Sequence, residues 1–168
     1  MQRDADQQVA ARHAPALAVH NNTLYCVLTG LDGKIYLSSF TGSGWASTIK
    51  VSTTWETPSA PALTSHDGRL YIALRATDDS VRLASSADAA AWSSTSIVSD
   101  WRTYDASALA SFDGKLHLAH RDRDGALHVG ALNGSSWSAP MQLQPKGYGA
   151  PSHAVNSVGI KSLWAVFV

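Results

Sequence analysis

The chain has 168 residues, of which 45% are apolar and 15% charged, with thirteen basic residues balancing thirteen acidic ones. That length suits one domain with a real core, and the balance of charge argues against a nucleic-acid binder, which needs a basic face, and against a polybasic membrane binder. A single cysteine, Cys26, excludes an intrachain disulfide and a cysteine-based zinc cluster, and no apolar run approaches the roughly 20 residues that span a bilayer.

Residues 1–12 form an N-terminal segment without the apolar centre of a signal peptide. The expectation is a cytoplasmic protein, one secreted by a non-classical route, or one whose signal has been trimmed. A single repeat domain, 13–168, follows. His13-Ala14-Pro15-Ala16-Leu17 returns as Ser59-Ala60-Pro61-Ala62-Leu63, then as Asp105-Ala106-Ser107-Ala108-Leu109, and in degenerate form as Gly149-Ala150-Pro151-Ser152-His153, at steps of 46, 46 and 44 residues. Leu24-Tyr25, Leu70-Tyr71 and Leu116-His117 share one repeat position, and Asp32, Asp78 and Asp124 share another. The units are 13–58, 59–104 and 105–148, with a partial fourth at 149–168.

Each unit reads as four short strands. In the first they lie at 15–20, 23–28, 34–40 and 45–51. Asn21-Asn22, Asp67-Gly68 and Asp113-Gly114 are the first hairpin turns, because Asn and Gly tolerate the positive φ such turns require. No window shows sustained helical periodicity. The fold class is therefore all-β. Four strands per unit at a period of about 46 residues predict β-propeller-type repeats, three full units plus a partial fourth; a β-trefoil is the alternative. The first strand of a unit, small or apolar on both faces, is expected to be buried on both. Trp45, Trp92 and Trp137 recur in register and are expected in the core.

The loops between units carry recurrent aromatics: Trp55, then Trp101 with Tyr104, then Tyr148. The loops between the second and third strands, at the same end of a propeller unit, carry Arg75, Asp78, Arg121 and Asp122. Aromatic faces stack on the C–H patches of sugar rings, and Arg and Asp bond vicinal hydroxyls. These eight residues are the candidate ligand site. Asp122 aligns with Gly30 and Ala76 and so is expected to be free of structural duty. His117, His120, Asp122, Asp124 and His128 cluster in sequence like metal ligands, but His117 and His128 occupy strand positions held by Tyr or Arg in the other units, so cross-strand packing accounts for them. No cofactor or metal is expected.

Ser86-Ala87-Asp88-Ala89-Ala90-Ala91-Trp92 resembles the Asp-box hairpin of sialidase-type propellers, with Ala90 in place of the glycine and the tryptophan one residue early. The stretch Asp32-Gly33-Lys34-Ile35-Tyr36 to Gly42-Ser43-Gly44-Trp45 is similar to blades of bacterial and fungal sugar-binding propellers. That resemblance implies inter-blade clefts that take fucose-like sugars, and in some members a ring assembled from several short chains. Glu56 is the sole glutamate, and a glycosidase needs two placed carboxylates. The expectation is a non-enzymatic lectin with glycan or glycoprotein partners. The alternatives are a protein-binding or toxin-associated recognition propeller and a propeller glycoside hydrolase. The apolar segment 163–168 is unsuited to a free edge. It is expected to pair between chains in a homo-oligomer, or residues 7–11 complete the last unit and close a four-unit ring.

Overall fold

The structure, a computed structural model, describes residues 9–143 and the strands at Ser152–Val155 and Leu163–Val166. All strand pairings are antiparallel, and no helix occurs among the described residues. The first sheet runs β1 (Ala16–His20), β2 (Thr23–Thr29), β3 (Ile35–Phe40), β4 (Ile49–Lys50) in sequence order. The second runs β5 (Ala62–His66), β6 (Arg69–Arg75), β7 (Ser80–Ser86), β8 (Ser96–Arg102). In the third, β9 (Ala108–Phe112), β10 (Lys115–Arg121) and β11 (Leu127–Asn133) lie side by side, and both β12 (Ser136–Trp137) and β13 (Met141–Leu143) pair with β11. The last two strands, β14 (Ser152–Val155) and β15 (Leu163–Val166), pair with each other.

The turns follow from the residues that occupy them. Asn21 and Asn22 have φ of 47° and 59°, Asp67 and Gly68 45° and 67°, Asp113 and Gly114 47° and 70°. Two successive positive φ values make the two-residue turn whose twist matches that of the flanking strands. The next turn in each sheet is also shared. Gly33, Asp79 and Gly125, at positive φ, donate their N–H to the carbonyls of Gly30, Ala76 and Asp122.

The innermost strands stand in a row, β1 beside β5, β5 beside β9, β9 beside β14. Two apolar seams lie between the sheets. In the first, Val27, Ile35 and Leu37 meet Leu63, Leu70, Ile72, Leu74 and Ala89. In the second, Ala73, Val81, Leu83 and Val98 meet Leu109, Leu116 and Leu118. Each such buried Val, Leu or Ile side chain contributes about 1.5–3 kcal/mol. A repeated polar latch pins both seams: His20 Nδ1 lies 2.9 Å from Ser65 Oγ, and His66 Nδ1 lies 2.9 Å from Ser111 Oγ.

Two expectations are corrected here. The first inner strand is not buried on both faces: Leu17 and Val19 of β1 are 56% and 62% exposed, because among the described residues β1 has a packed inner neighbour, β5, on one side only. Trp45 is 51% exposed and lies across Phe40 at 5.6 Å between ring centroids, whereas Trp92 packs on the first seam and Trp137 on the second. The Ser86–Trp92 turn of the second sheet is closed by a carboxylate. There Asp88 Oδ1 accepts from Ala90 N–H, Ala91 N–H and the Ser86 hydroxyl, each at 2.9 Å, and those bonds pull its pKa down to about 2. In the first sheet Thr41 N–H to Gly44 O closes the corresponding turn without a carboxylate.

Candidate functional site

A cleft of about 540 Å³ opens where the chain leaves the first sheet and passes over the second. Thr54, Trp55 and Glu56 form one wall. Leu74, at the end of β6, and the turn residues Ala76, Thr77 and Asp78 form the other, with Arg82 of β7 beside them. Trp55 is half-buried: it packs against the first seam and presents its remaining surface to the cleft. Around that apolar face stand two carboxylates, a guanidinium and the hydroxyls of Thr54, Thr77, Ser94 and Thr95.

The charged groups are held in place. Lys34 Nζ is 2.6 Å from Glu56 Oε1. Asp78 Oδ1 accepts from the Ser80 hydroxyl at 2.6 Å and its N–H at 3.1 Å, while Arg82 reaches Oδ2 at 3.5 Å. The Ser80 bonds, with the nearby guanidinium, hold the Asp78 carboxyl below its ordinary range. Of the residues selected from sequence, Trp55 and Asp78 are brought together here. Glu56, Arg82, Thr54 and Thr77 were not selected; an arginine four residues after a turn aspartate, where the other units carry Tyr36 and His128, was the available signal for one of them.

Trp101, 46 residues after Trp55, has a different fate. It lies in strand β8, not in a loop, and is 6% exposed. Its ring stacks on His120 at 5.1 Å and tilts against Trp137 at 5.4 Å. The space exists because residue 130 is glycine: a Cβ there would stand 2.2 Å from Trp101 Cη2. The buried ring has no face left for a sugar, so the expected stacking role is corrected to packing in the second seam. His120, beneath it, is buried; burial, with the His128 ring 5.3 Å away, pushes its pKa down to about 4.

Asp122 is not free. Its Oδ1 accepts from Asp124 N–H at 3.0 Å and Ala126 N–H at 2.8 Å, and its Oδ2 lies 2.9 Å from His128 Nε2. Partial burial works against its ionisation, but the His128 and Ala126 bonds prevail and lower its pKa. Asp32 does the same work in the first sheet, accepting from Lys34 N–H, Tyr36 Oη–H and Lys50. So Asp122, not the aligned Asp124, is the third unit's turn carboxylate, shifted by two residues.

Arg75 donates to Asp79 at 2.9 Å and to the Tyr104 carbonyl at 3.3 Å. Tyr104 lies between the Arg75 and Arg123 guanidiniums, 5.7 and 5.4 Å from its centroid. Arg121 pairs with Asp105 at 3.4 Å. These three selected residues form a linked polar group between the second and third sheets, apart from the Trp55 cleft. Tyr148 lies outside the described residues. No group of three or more His, Cys, Asp or Glu is placed to hold a metal ion among the described residues.

No protein-family model matches the chain, and no curated protein matches it. Solved structures do. GH43B of the Bacteroides ovatus xyloglucan PUL aligns with 89% of this chain and 34% of its own, at 16% identity and a TM-score of 0.68. A mutant of the Aleuria aurantia lectin in complex with α-methyl-L-fucoside aligns with 88% of this chain and 53% of its own, at 17% identity and 0.61. A Cellvibrio cellulosa α-L-arabinanase mutant aligns with 89% and 62%, at 17% and 0.61. The chain thus spans between about a third and two thirds of these proteins. The fold is a β-propeller arrangement, and the trefoil alternative falls.

Proposed function

We propose that the chain is a non-enzymatic carbohydrate-binding protein, and that a glycan seats in the cleft between the first and second sheets against Trp55. One observation carries this reading: a half-buried tryptophan faces a cleft of about 540 Å³ with Glu56, Asp78, Arg82, Thr54 and Thr77 around it. Ligand sites combine an apolar platform with a few convergent polar groups, at volumes of roughly 300–1,000 Å³. Trp55 supplies the stacking face, Arg82 a donor fork, and the carboxylates acceptors for ring hydroxyls. The fucoside in the Aleuria lectin and the L-arabinose chemistry of the arabinanase make α-L-fucosides and α-L-arabino-oligosaccharides the first ligands to try.

A hydrolase is the second reading, favoured by the arabinanase and GH43 neighbours and by two carboxylates at one cleft. Against Asp78 as its general acid, such an acid needs a raised pKa, and Asp78 is held below its ordinary range. Titration calorimetry with fucoside and arabino-oligosaccharide panels, run beside reducing-sugar release from arabinan, separates the two. Saturable binding lost in Trp55→Ala, without turnover, supports the lectin; turnover that disappears in Glu56→Gln or Asp78→Asn overturns it.

A further inference from the structure

The segment that carries Trp55 across the second sheet is tied to the first sheet just past the ring. Thr57 N–H donates to Gly33 O at 3.0 Å, and the backbone of Lys34 bridges that of Glu56 in antiparallel fashion. Lys34 Nζ completes the link through its side chain, 2.6 Å from Glu56 Oε1. The turn that presents Lys34 is itself fixed: Asp32 Oδ1 accepts Lys34 N–H at 3.0 Å, and Gly33, at a φ of 76°, donates to Gly30 O at 2.9 Å. The backbone part of this link recurs in the second seam, where Thr103 N–H donates to Asp79 O at 2.9 Å and Ser80 stands opposite Arg102. The side-chain part does not recur, because a serine facing an arginine makes no ion pair. Trp55 precedes Glu56 as Trp101 precedes Arg102, so the clamp belongs to the seam whose tryptophan stays at the cleft.

Lys34 stands behind the cleft wall, while Glu56 is part of it. The Lys34 side chain is 18% exposed and that of Glu56 52%, so the ammonium is held inside and the carboxylate reaches outward. Exposed ion pairs contribute little, because two free side chains must be ordered to form them. Here the backbone bridge orders both residues beforehand. Glu56 is therefore fixed beside Trp55, and its charge is met by a cation of the protein. Asp78, the second carboxylate of the cleft, is met likewise: Arg82 reaches its Oδ2 at 3.5 Å, and Arg102 adds a second favourable charge. Carboxylates already matched in this way accept from hydroxyls, and a ligand that brings its own cation meets Lys34 and the guanidiniums as like charges. We infer that Lys34 is a positioning residue that sets the specificity of this cleft: it fixes Glu56 and the Trp55 wall, and it cancels the Glu56 charge, so that an uncharged sugar is taken over the same sugar bearing an amine. The choice of ligand rests on the glycan reading above; the placing of Trp55 rests on the clamp alone.

The test compares the whole chain with Lys34→Met, which keeps the length of the stem and removes the charge, and with Lys34→Arg, which keeps the charge. Fluorine NMR of 5-fluorotryptophan at position 55 reads the placing of the ring without any sugar. Titration calorimetry with α-L-fucoside and α-L-arabino-oligosaccharide, each beside its 2-amino-2-deoxy derivative, reads the specificity. The wild type is expected to bind the neutral sugar about threefold to fivefold more tightly than the amine. Lys34→Met is expected to shift the Trp55 resonance, weaken the neutral sugar and reverse that preference, with circular dichroism unchanged; Lys34→Arg is expected to restore all three. A general loss of packing would weaken both sugars together and leave their ranking as it was. The inference is overturned by a wild type that prefers the amine, by a ranking that Lys34→Met leaves unchanged, or by one that Lys34→Arg fails to restore. If the wild type binds neither sugar, the glycan reading falls and the resonance decides alone: a Trp55 signal moved in Lys34→Met and returned in Lys34→Arg upholds the clamp, and an unmoved one overturns it.

Discussion

The two seams place the same residue type at the same repeat position and use it in opposite ways. Trp55 stays half-buried and lines a cleft; Trp101 sinks into the second seam and fills it. The difference is local. Gly130 removes the Cβ that would collide with the Trp101 ring, whereas its counterpart, 46 residues earlier, is Ala84, itself buried. His120 offers a flat ring for Trp101 to stack on, where the first seam has Leu74. One methyl group and one aromatic partner thus separate a recurrent tryptophan that stays at a cleft from one that joins the core. Repetition of sequence does not by itself repeat a cleft.

The largest effect expected from this contrast is on stability. Trp101→Ala should cost about 3–5 kcal/mol, as large aromatic truncations in cores do, seen as a fall in the midpoint of chemical unfolding. Trp55→Ala should cost much less by the same measurement. Equal losses would mean that both tryptophans are core residues.

Acid should loosen the second seam selectively. The His120 pKa is pushed down to about 4 from 6.5. Between those values the unfolded chain binds a proton that the folded one refuses, so the stability from neutral His120 is complete above pH 6.5 and declines as pH falls toward 4. At about 1.4 kcal/mol per pKa unit the loss is on the order of 2–3 kcal/mol. Urea midpoints measured from pH 7 to pH 4 check this. His120→Leu, which copies the first seam, should flatten that limb; an unchanged limb assigns it to other groups.

Gly130→Ala should destabilise by about 1–3 kcal/mol through overpacking, and the cost should vanish when Trp101 is already alanine. A double-mutant cycle measures this coupling; additive costs would show that the glycine matters for its backbone alone. The smallest effect belongs to the open cleft. Trp55→Ala should weaken glycan binding by about 1 kcal/mol, several-fold in affinity, by titration calorimetry.

Much of the fold was legible in the residues. The Asn-Asn and Asp-Gly turns fell where two positive φ values are needed, and the repeated strand pattern placed the antiparallel pairs. The site was legible only in part. Trp55 and Asp78 do meet, because the loop leaving one sheet crosses the turn of the next. Trp101 could not be assigned from its repeat position, since its fate depends on a glycine 29 residues later, in another sheet. Asp122 was misread because alignment follows sequence spacing, whereas the turn needs only a carboxylate within reach of the backbone N–H groups, which Asp122 supplies two residues early. The exposure of Leu17 and Val19 was hidden for a similar reason: an apolar strand announces burial but not whether its cover lies on one side or both.

Fluorine NMR of protein labelled with 5-fluorotryptophan tests the central claim most directly, because it watches both tryptophans in one sample. Single Trp→Phe variants assign the signals, and α-L-fucoside or α-L-arabino-oligosaccharide is titrated in. The account predicts that the Trp55 resonance responds to a soluble paramagnetic quencher and shifts saturably with the sugar, while the Trp101 resonance does neither. A sugar-dependent shift at Trp101 with none at Trp55, or a Trp55 signal as shielded from the quencher as Trp101, would contradict it.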